Sequence, residues 1–194
     1  MNQEKVLDIF RKTNALLVGH FLLTSGKHSN IYLEKFMVLQ YPEYTEKLAK
    51  EIAKHFKKKK PDVVIGAAVG GIILAYEVAR QLGVRGIFME REEGKLVLRR
   101  NFEIKNGEKV LVVEDIVTTG GSVKELIESL KKYKCEIIGV GVLINRSGGE
   151  LNFGIDDTYA LATVDVSAYE PDVCPFCKKK VPLVSRGSKY LKKK

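Results

Sequence analysis

Apolar residues recur along the chain with two periods. Val6, Leu7, Ile9 and Phe10 share one face, which predicts a short amphipathic helix over residues 4–12. The run Phe21-Leu22-Leu23-Thr24-Ser25-Gly26-Lys27-His28-Ser29-Asn30-Ile31-Tyr32-Leu33 has apolar ends around a small, polar centre, the pattern of strand, turn and strand. Pro42 opens a helix with Tyr44, Leu48, Ile52 and Phe56 four apart, and a lysine run at 57–60 followed by Pro61 closes it. Val63-Val64-Ile65 then reads as a buried strand. A small-residue turn follows, then a helix with Ile72, Ala75, Tyr76, Ala79 and Leu82 inward, ended by Gly83. Further strands are predicted at 87–89, 110–113, 137–144 and 159–166, with a helix carrying Val123, Leu126, Ile127 and Leu130 between the second and third. Strands alternating with helices predict an α/β fold with a parallel sheet covered on both faces. In such sheets ligands bind beyond the carboxyl ends of the strands.

Residues 90–108 break this rhythm. They are polar and charged, with weak alternation at Leu96, Leu98, Phe102 and Ile104 that allows a hairpin. A connection of this length between core strands points to function.

A chain of 194 residues, 45% of them hydrophobic, is long enough for about one domain with its own core. Lys plus Arg total 33 against 24 Asp plus Glu, a net charge of +9. That charge suits nucleic acid, an anionic membrane or a phosphorylated small molecule. Much of the excess lies in lysine runs at 57–60, 178–180 and 192–194, which read as solvated loops and ends. No apolar run approaches the about 20 residues of a membrane span, and the N-terminus does not resemble a signal peptide. A cytoplasmic location is therefore expected.

The sharpest chemistry lies at 110–122. A buried strand delivers Glu114 and Asp115 to its carboxyl end, and Thr118, Thr119, Gly120, Gly121 and Ser122 then open a helix. Backbone N–H groups at a helix N-terminus attract an anion, hydroxyls add donors, and glycine lets the main chain approach closely. The turn fits a phosphate, and the acids fit hydroxyl groups or a metal. Together they fit a sugar phosphate. The segment is neither a Walker loop nor a dinucleotide fingerprint, which removes support for nucleotide hydrolysis and hydride transfer.

This stretch, Val-Val-Glu-Asp-Ile-Val-Thr-Thr-Gly-Gly-Ser, resembles the phosphoribosyl pyrophosphate signature of the type I phosphoribosyltransferases. Residues 21–29 resemble the N-terminal segment of the orotate-specific members, residues 91–95 the start of their mobile loop, and Leu143-Ile144-Asn145-Arg146 their carboxylate-binding strand end. The resemblance covers about residues 15–150. It implies transfer of a 5-phosphoribosyl group from phosphoribosyl pyrophosphate to orotate, forming orotidine 5′-monophosphate and pyrophosphate in pyrimidine synthesis. It also implies Mg²⁺ carried by the substrate and a homodimer whose mobile loop enters the neighbouring site.

On that resemblance Glu114 and Asp115 hold the ribose hydroxyls, and residues 118–122 cradle the 5-phosphate. Ala68, Val69, Gly70 and Gly71 form the pyrophosphate loop, although a tight strand-to-helix turn explains the glycine pair equally well. Arg91 and Lys95 close over the leaving pyrophosphate. Arg146 meets the orotate carboxylate in the manner a guanidinium favours, and Tyr32 lies beside the orotate ring or in the core. Some positions depart from the family. Thr24 stands where a lysine is usual, with Lys27 as the substitute cation. Glu92 replaces a lysine and Val97 a histidine, with Arg99 or Arg100 available to restore charge.

The expected organisation is N-terminal helices and a small hood over 1–60, the phosphoribosyl pyrophosphate-binding core over 61–168, and an irregular extension over 169–194 with a frayed basic tail. Cys174-Pro175-Phe176-Cys177 stands apart. Three readings fit it: half of a zinc site completed by Cys135 or by a second subunit, a redox disulfide, or a buried turn. Two functional rivals remain. One is transfer to a purine base, against which Arg146 counts because a purine carries no carboxylate. The other is a nucleic-acid-binding regulator that uses the site as a sensor, against which the Arg91/Lys95 loop counts.

Overall fold

The computed structural model describes residues 1–23 and 25–186. In chain order, α1 (Gln3–Lys12) leads to β1 (Leu16–Leu22), β2 (His28–Leu33), α2 (Lys35–Leu39) and α3 (Pro42–Phe56). Then come β3 (Val63–Ala67), α4 (Gly70–Leu82), β4 (Arg85–Glu92), β5 (Lys95–Leu98), β6 (Lys109–Val117) and α5 (Gly121–Leu130). The chain continues through β7 (Glu136–Asn145), β8 (Thr158–Thr163), β9 (Ala168–Tyr169), α6 (Pro175–Lys178) and β10 (Val184–Ser185).

The main sheet runs β5-β4-β3-β6-β7-β8 and is parallel except for the β4–β5 hairpin at its edge. Its centre is β6, whose side chains alternate between two cores. Leu111 and Val113 pack with Leu48, Ile52 and Phe56 of α3 and Leu74 and Val78 of α4. Val110 and Val112 pack on the other face with Val123, Leu126 and Leu130 of α5. A strand buried on both faces must be apolar at every position, which is why it reads as an unbroken valine–leucine run. Local signals end the helices where the pattern placed them: Asn2 caps α1, Pro42 begins α3, and Gly83 takes φ +71° after α4.

A second sheet, ordered β10-β1-β2-β9, forms the hood. It is built from both ends of the chain: Phe21 of β1 pairs with Val184 of β10, and His28 of β2 with Tyr169 of β9. The expected irregular extension thus contains two short strands and a helical turn, each too brief to show a period. The five-residue α2 escaped sequence reading for the same reason.

The expected hairpin after β4 is present but short. β5 stops at Leu98 because Arg100 and Asn101 take φ +59° and +56°, which turns the chain before Phe102. Phe102 instead packs edge-on against Phe88 at 5.2 Å. Among the described residues no helix is long and apolar enough to cross a membrane. The substitution noted at Thr24 and the basic tail at 189–194 lie outside the described residues.

Candidate active site

The acid pair sits in the last part of β6, which runs on to Val117 before the turn. Both side chains are buried, Glu114 at 8% and Asp115 at 1% exposure. The strand shapes the pair from within: the Asp115 N–H donates to Glu114 Oε1 at 3.1 Å, and the Ile116 N–H donates to Asp115 Oδ1 at 2.6 Å. Lys35, at the start of α2, reaches in from outside. Its Nζ donates to Asp115 Oδ1 at 3.2 Å and stands 3.1 Å from Oδ2.

Burial raises the pKa of both carboxyls, because a charge leaving water is costly. Glu114 is pushed up to about 8, by burial first and by the neighbouring Asp115 charge second. For Asp115 the ammonium of Lys35 opposes the rise. Glu114 therefore keeps its proton at neutral pH, beside the Asp115–Lys35 contact.

The loop between β3 and α4 touches this pair. A side chain at Gly70 would overlap Asp115 Oδ2 and come within 2.6 Å of Lys35 Nζ, so only a hydrogen fits there. This close approach gives the glycine of Ala68-Val69-Gly70-Gly71 a role that the turn alone did not reveal. Val69 projects outward at 69% exposure.

After the acids, the chain forms a small concavity of about 50 Å³ lined by Glu114 and residues 116–123. Thr118, Thr119, Gly120, Gly121 and Ser122 all contribute to it. Gly120 takes φ +75° and Phe153 packs against it, which places the N-terminus of α5 at the concavity. Main-chain N–H groups at a helix N-terminus attract anions in general. Two larger open concavities, of about 730 and 460 Å³, lie along β7–β8 and beside Lys58–Lys60 and contain neither acid.

Arg146 leaves the end of β7 with its N–H bonded to Val117 O at 2.7 Å. Its guanidinium is half-buried, and burial lowers its pKa while the charge of Tyr32 opposes that. Tyr32, on β2, lies within electrostatic reach of Arg146 and of Arg186, and its ring tilts against Phe21 at 5.6 Å. Tyr32 of the hood thus lies within electrostatic range of Arg146 at the end of β7. Arg186 joins them without any sequence signal.

The loop cations are placed differently. Arg91 lies within β4 and is clasped by Glu125 of α5 at 2.9 and 2.5 Å, with a third bond to Gly94 O at 2.7 Å. Lys95 is exposed at the hairpin's return, paired in register with Glu92. Arg99 is paired with Glu92 at 2.9 Å and Arg100 with Glu90 at 3.0 Å, both at the exposed surface. Lys27 pairs with Glu170 at 2.8 Å on the hood. The lysine that meets the acids is Lys35, which sequence reading passed over because nothing in its surroundings marks it.

A parallel sheet whose central strand ends in a buried acid pair and runs into an anion-binding turn defines the phosphoribosyltransferase class. Residues 38–165 match the profile of the phosphoribosyl transferase domain. The chain is 55% identical over 191 residues to the orotate phosphoribosyltransferase of Desulforamulus reducens, covering 98% of this chain and all of that one. It is 53% identical over the same length to that of Caldanaerobacter subterraneus subsp. tengcongensis, again covering 98% and 100%. Among solved structures, the orotate phosphoribosyltransferase of Aeropyrum pernix superimposes with a TM-score of 0.68 at 25% identity, over 82% of this chain and 93% of that one. The chain belongs to the phosphoribosyl transferase family and, within it, to the orotate phosphoribosyltransferases.

Proposed function

We propose that this protein transfers the 5-phosphoribosyl group from phosphoribosyl pyrophosphate to orotate. N1 of orotate gives up its proton, which the departing pyrophosphate takes up, and bonds to the anomeric carbon as the bond to pyrophosphate breaks. The observation that carries this reading is the Glu114–Asp115 pair, held by Lys35 and followed at once by the 118–122 turn.

Each residue has a task suited to its position. Main-chain N–H groups and the hydroxyls of Thr118, Thr119 and Ser122 hold the 5-phosphate. Glu114 and Asp115 accept hydrogen bonds from the ribose hydroxyls and fix the ring as its anomeric carbon gains positive character. The 68–71 loop brings its main chain to the pyrophosphate near Lys35. Arg146 pairs with the orotate carboxylate, with Tyr32 along the ring. Mg²⁺ carried by the substrate would supply charge neutralisation at the leaving pyrophosphate. Asp115 is already matched by Lys35, which suits a metal delivered by the substrate over one stored on the protein.

Lys95 is the exposed cation of the β4–β5 hairpin and meets the leaving group. Arg91, locked to Glu125, anchors the hairpin. A homodimer in which one protomer's hairpin covers its partner's site, working in the cytoplasm, completes the reading.

The test is loss of orotate absorbance with phosphoribosyl pyrophosphate, with and without Mg²⁺, alongside hypoxanthine, uracil and nicotinate. Mg²⁺-dependent consumption of orotate alone is expected. Consumption of another base in its place would move Arg146 to a different task. No turnover with any base, together with salt-sensitive RNA or DNA binding, would favour a regulator.

A further inference from the structure

We propose that His20, His28, Cys174 and Cys177 form a closed, tetrahedral Zn²⁺ site that fastens the C-terminal segment to the hood. Residues separated by about 150 positions in sequence place one ligand atom each within 4.8 Å of one another. His20, His28 and Cys174 are buried, and Cys177 lies at the rim.

The contacts have the dimensions of a metal's ligand shell. His20 Nε2 lies 3.0 Å from His28 Nδ1 and 3.5 and 3.7 Å from the sulfurs of Cys174 and Cys177, and Cys177 Sγ lies 3.2 Å from His28 Nδ1. Metal–nitrogen bonds of about 2.0 Å and metal–sulfur bonds of about 2.3 Å give a tetrahedron with N–N edges of about 3.3 Å and N–S edges of about 3.5 Å.

The surroundings also orient the ligands. His20 Nδ1 lies 2.9 Å from Val181 O. A carbonyl oxygen only accepts, so Nδ1 carries the proton and Nε2 turns a bare lone pair toward the cluster. This is how a ligating histidine is usually fixed. Cys174 precedes a single helical turn in which the Lys178 N–H bonds to Cys174 O at 3.2 Å, bringing both thiols to one side.

A disulfide between the cysteines would account for two of these residues and leave two imidazoles converging on it without purpose. A tetrahedral ion accounts for all four. Two imidazoles and two thiols select zinc over magnesium or calcium, and four protein ligands leave no open position, so the site is structural. Cys135 takes no part: it packs in the core on the far face of the main sheet.

The test begins with the full-length protein purified from zinc-supplemented culture without chelators. Elemental analysis should find about one zinc per chain, as four ligands for one ion require. H28A and C177S should each lose most of that metal. Because these variants could fail to fold, the wild-type protein is also stripped with a chelator and titrated with Co²⁺. Tetrahedral thiolate coordination then produces an intense visible absorption that saturates at one equivalent, and Zn²⁺ abolishes it. Thiol titration of the native protein supplies a third reading. Metal-free protein with an unchanged melting temperature and no Co²⁺ spectrum would overturn the site. So would one free thiol in protein denatured with chelator, which signals a disulfide, or full metal content in both variants.

Discussion

Lys35 Nζ stands within 3.2 Å of both carboxylate oxygens of Asp115, linking the first turn of α2 to the end of β6. The pair joins two segments 80 residues apart, and Asp115 is 1% exposed. Removing one partner of a buried pair leaves the other uncompensated. Asp115→Asn should lower kcat/KM by about 100-fold or more, the scale of one transition-state contact. Steady-state kinetics with circular dichroism as a fold control would check this, and near-normal turnover would remove the acid pair from the mechanism.

Gly70 faces the same pair. Gly70→Ala puts a methyl group where Asp115 Oδ2 and Lys35 Nζ meet. Overpacking of this kind costs about 1–3 kcal/mol. The variant should melt lower and lose activity together, as thermal melting and steady-state kinetics would show. Retained activity in Gly70→Ala would show that the loop moves away from the acids during turnover.

The acid pair also ties stability to pH. Glu114 titrates near 8 in the folded protein against an ordinary value of 4.5. The native state therefore holds a proton that the unfolded chain has released between those values. The stabilisation is complete below about pH 4.5 and is lost as pH rises through about 8. Denaturation midpoints measured from pH 5 to pH 9 (about four units) should fall in the wild type and fall less in Glu114→Gln. Parallel curves would place the titration elsewhere.

Arg146→Ala should weaken orotate binding far more than phosphoribosyl pyrophosphate binding. A bidentate guanidinium–carboxylate contact is about 1.5–3 kcal/mol, so KM for orotate should rise about tenfold or more. Equal losses for both substrates would count against carboxylate recognition.

The hairpin divides its two cations by role. Lys95→Ala should lower kcat more than it raises either KM, as expected of a contact made to a leaving group as charge develops. Glu125→Gln releases Arg91 from its clasp and should alter hairpin mobility, seen as faster amide exchange over residues 90–98.

Most of the main sheet was legible because its strands are buried on both faces and its helices follow a 3.6-residue period. The acid pair and the Thr-Gly-Gly turn were legible because their types and order are specific. Lys35 was not, since a lone lysine has no pattern until the fold sets it against Asp115. The engagement of Arg91 by Glu125 was equally hidden: its partner lies 34 residues on, with β5 and β6 between them. His28 fell in the polar centre read as a turn and His20 outside any predicted element, and the Cys-x-x-Cys reading lacked them because their nearness to Cys174 arises only when β1 and β2 share a sheet with β9 and β10.

That shared sheet has a consequence for synthesis. The ribosome releases β1 and β2 early, yet β1 waits for Val184 and Ser185 to cover its outer edge. During almost the whole of translation this edge offers unpaired backbone groups to any neighbouring strand. Residues 63–163 hold every strand of the larger sheet and can assemble first. The hood is completed only once residues 184 and 185 have emerged, after every strand of the larger sheet, so a ribosome that stops before them leaves β1 open at Phe21 and Leu22.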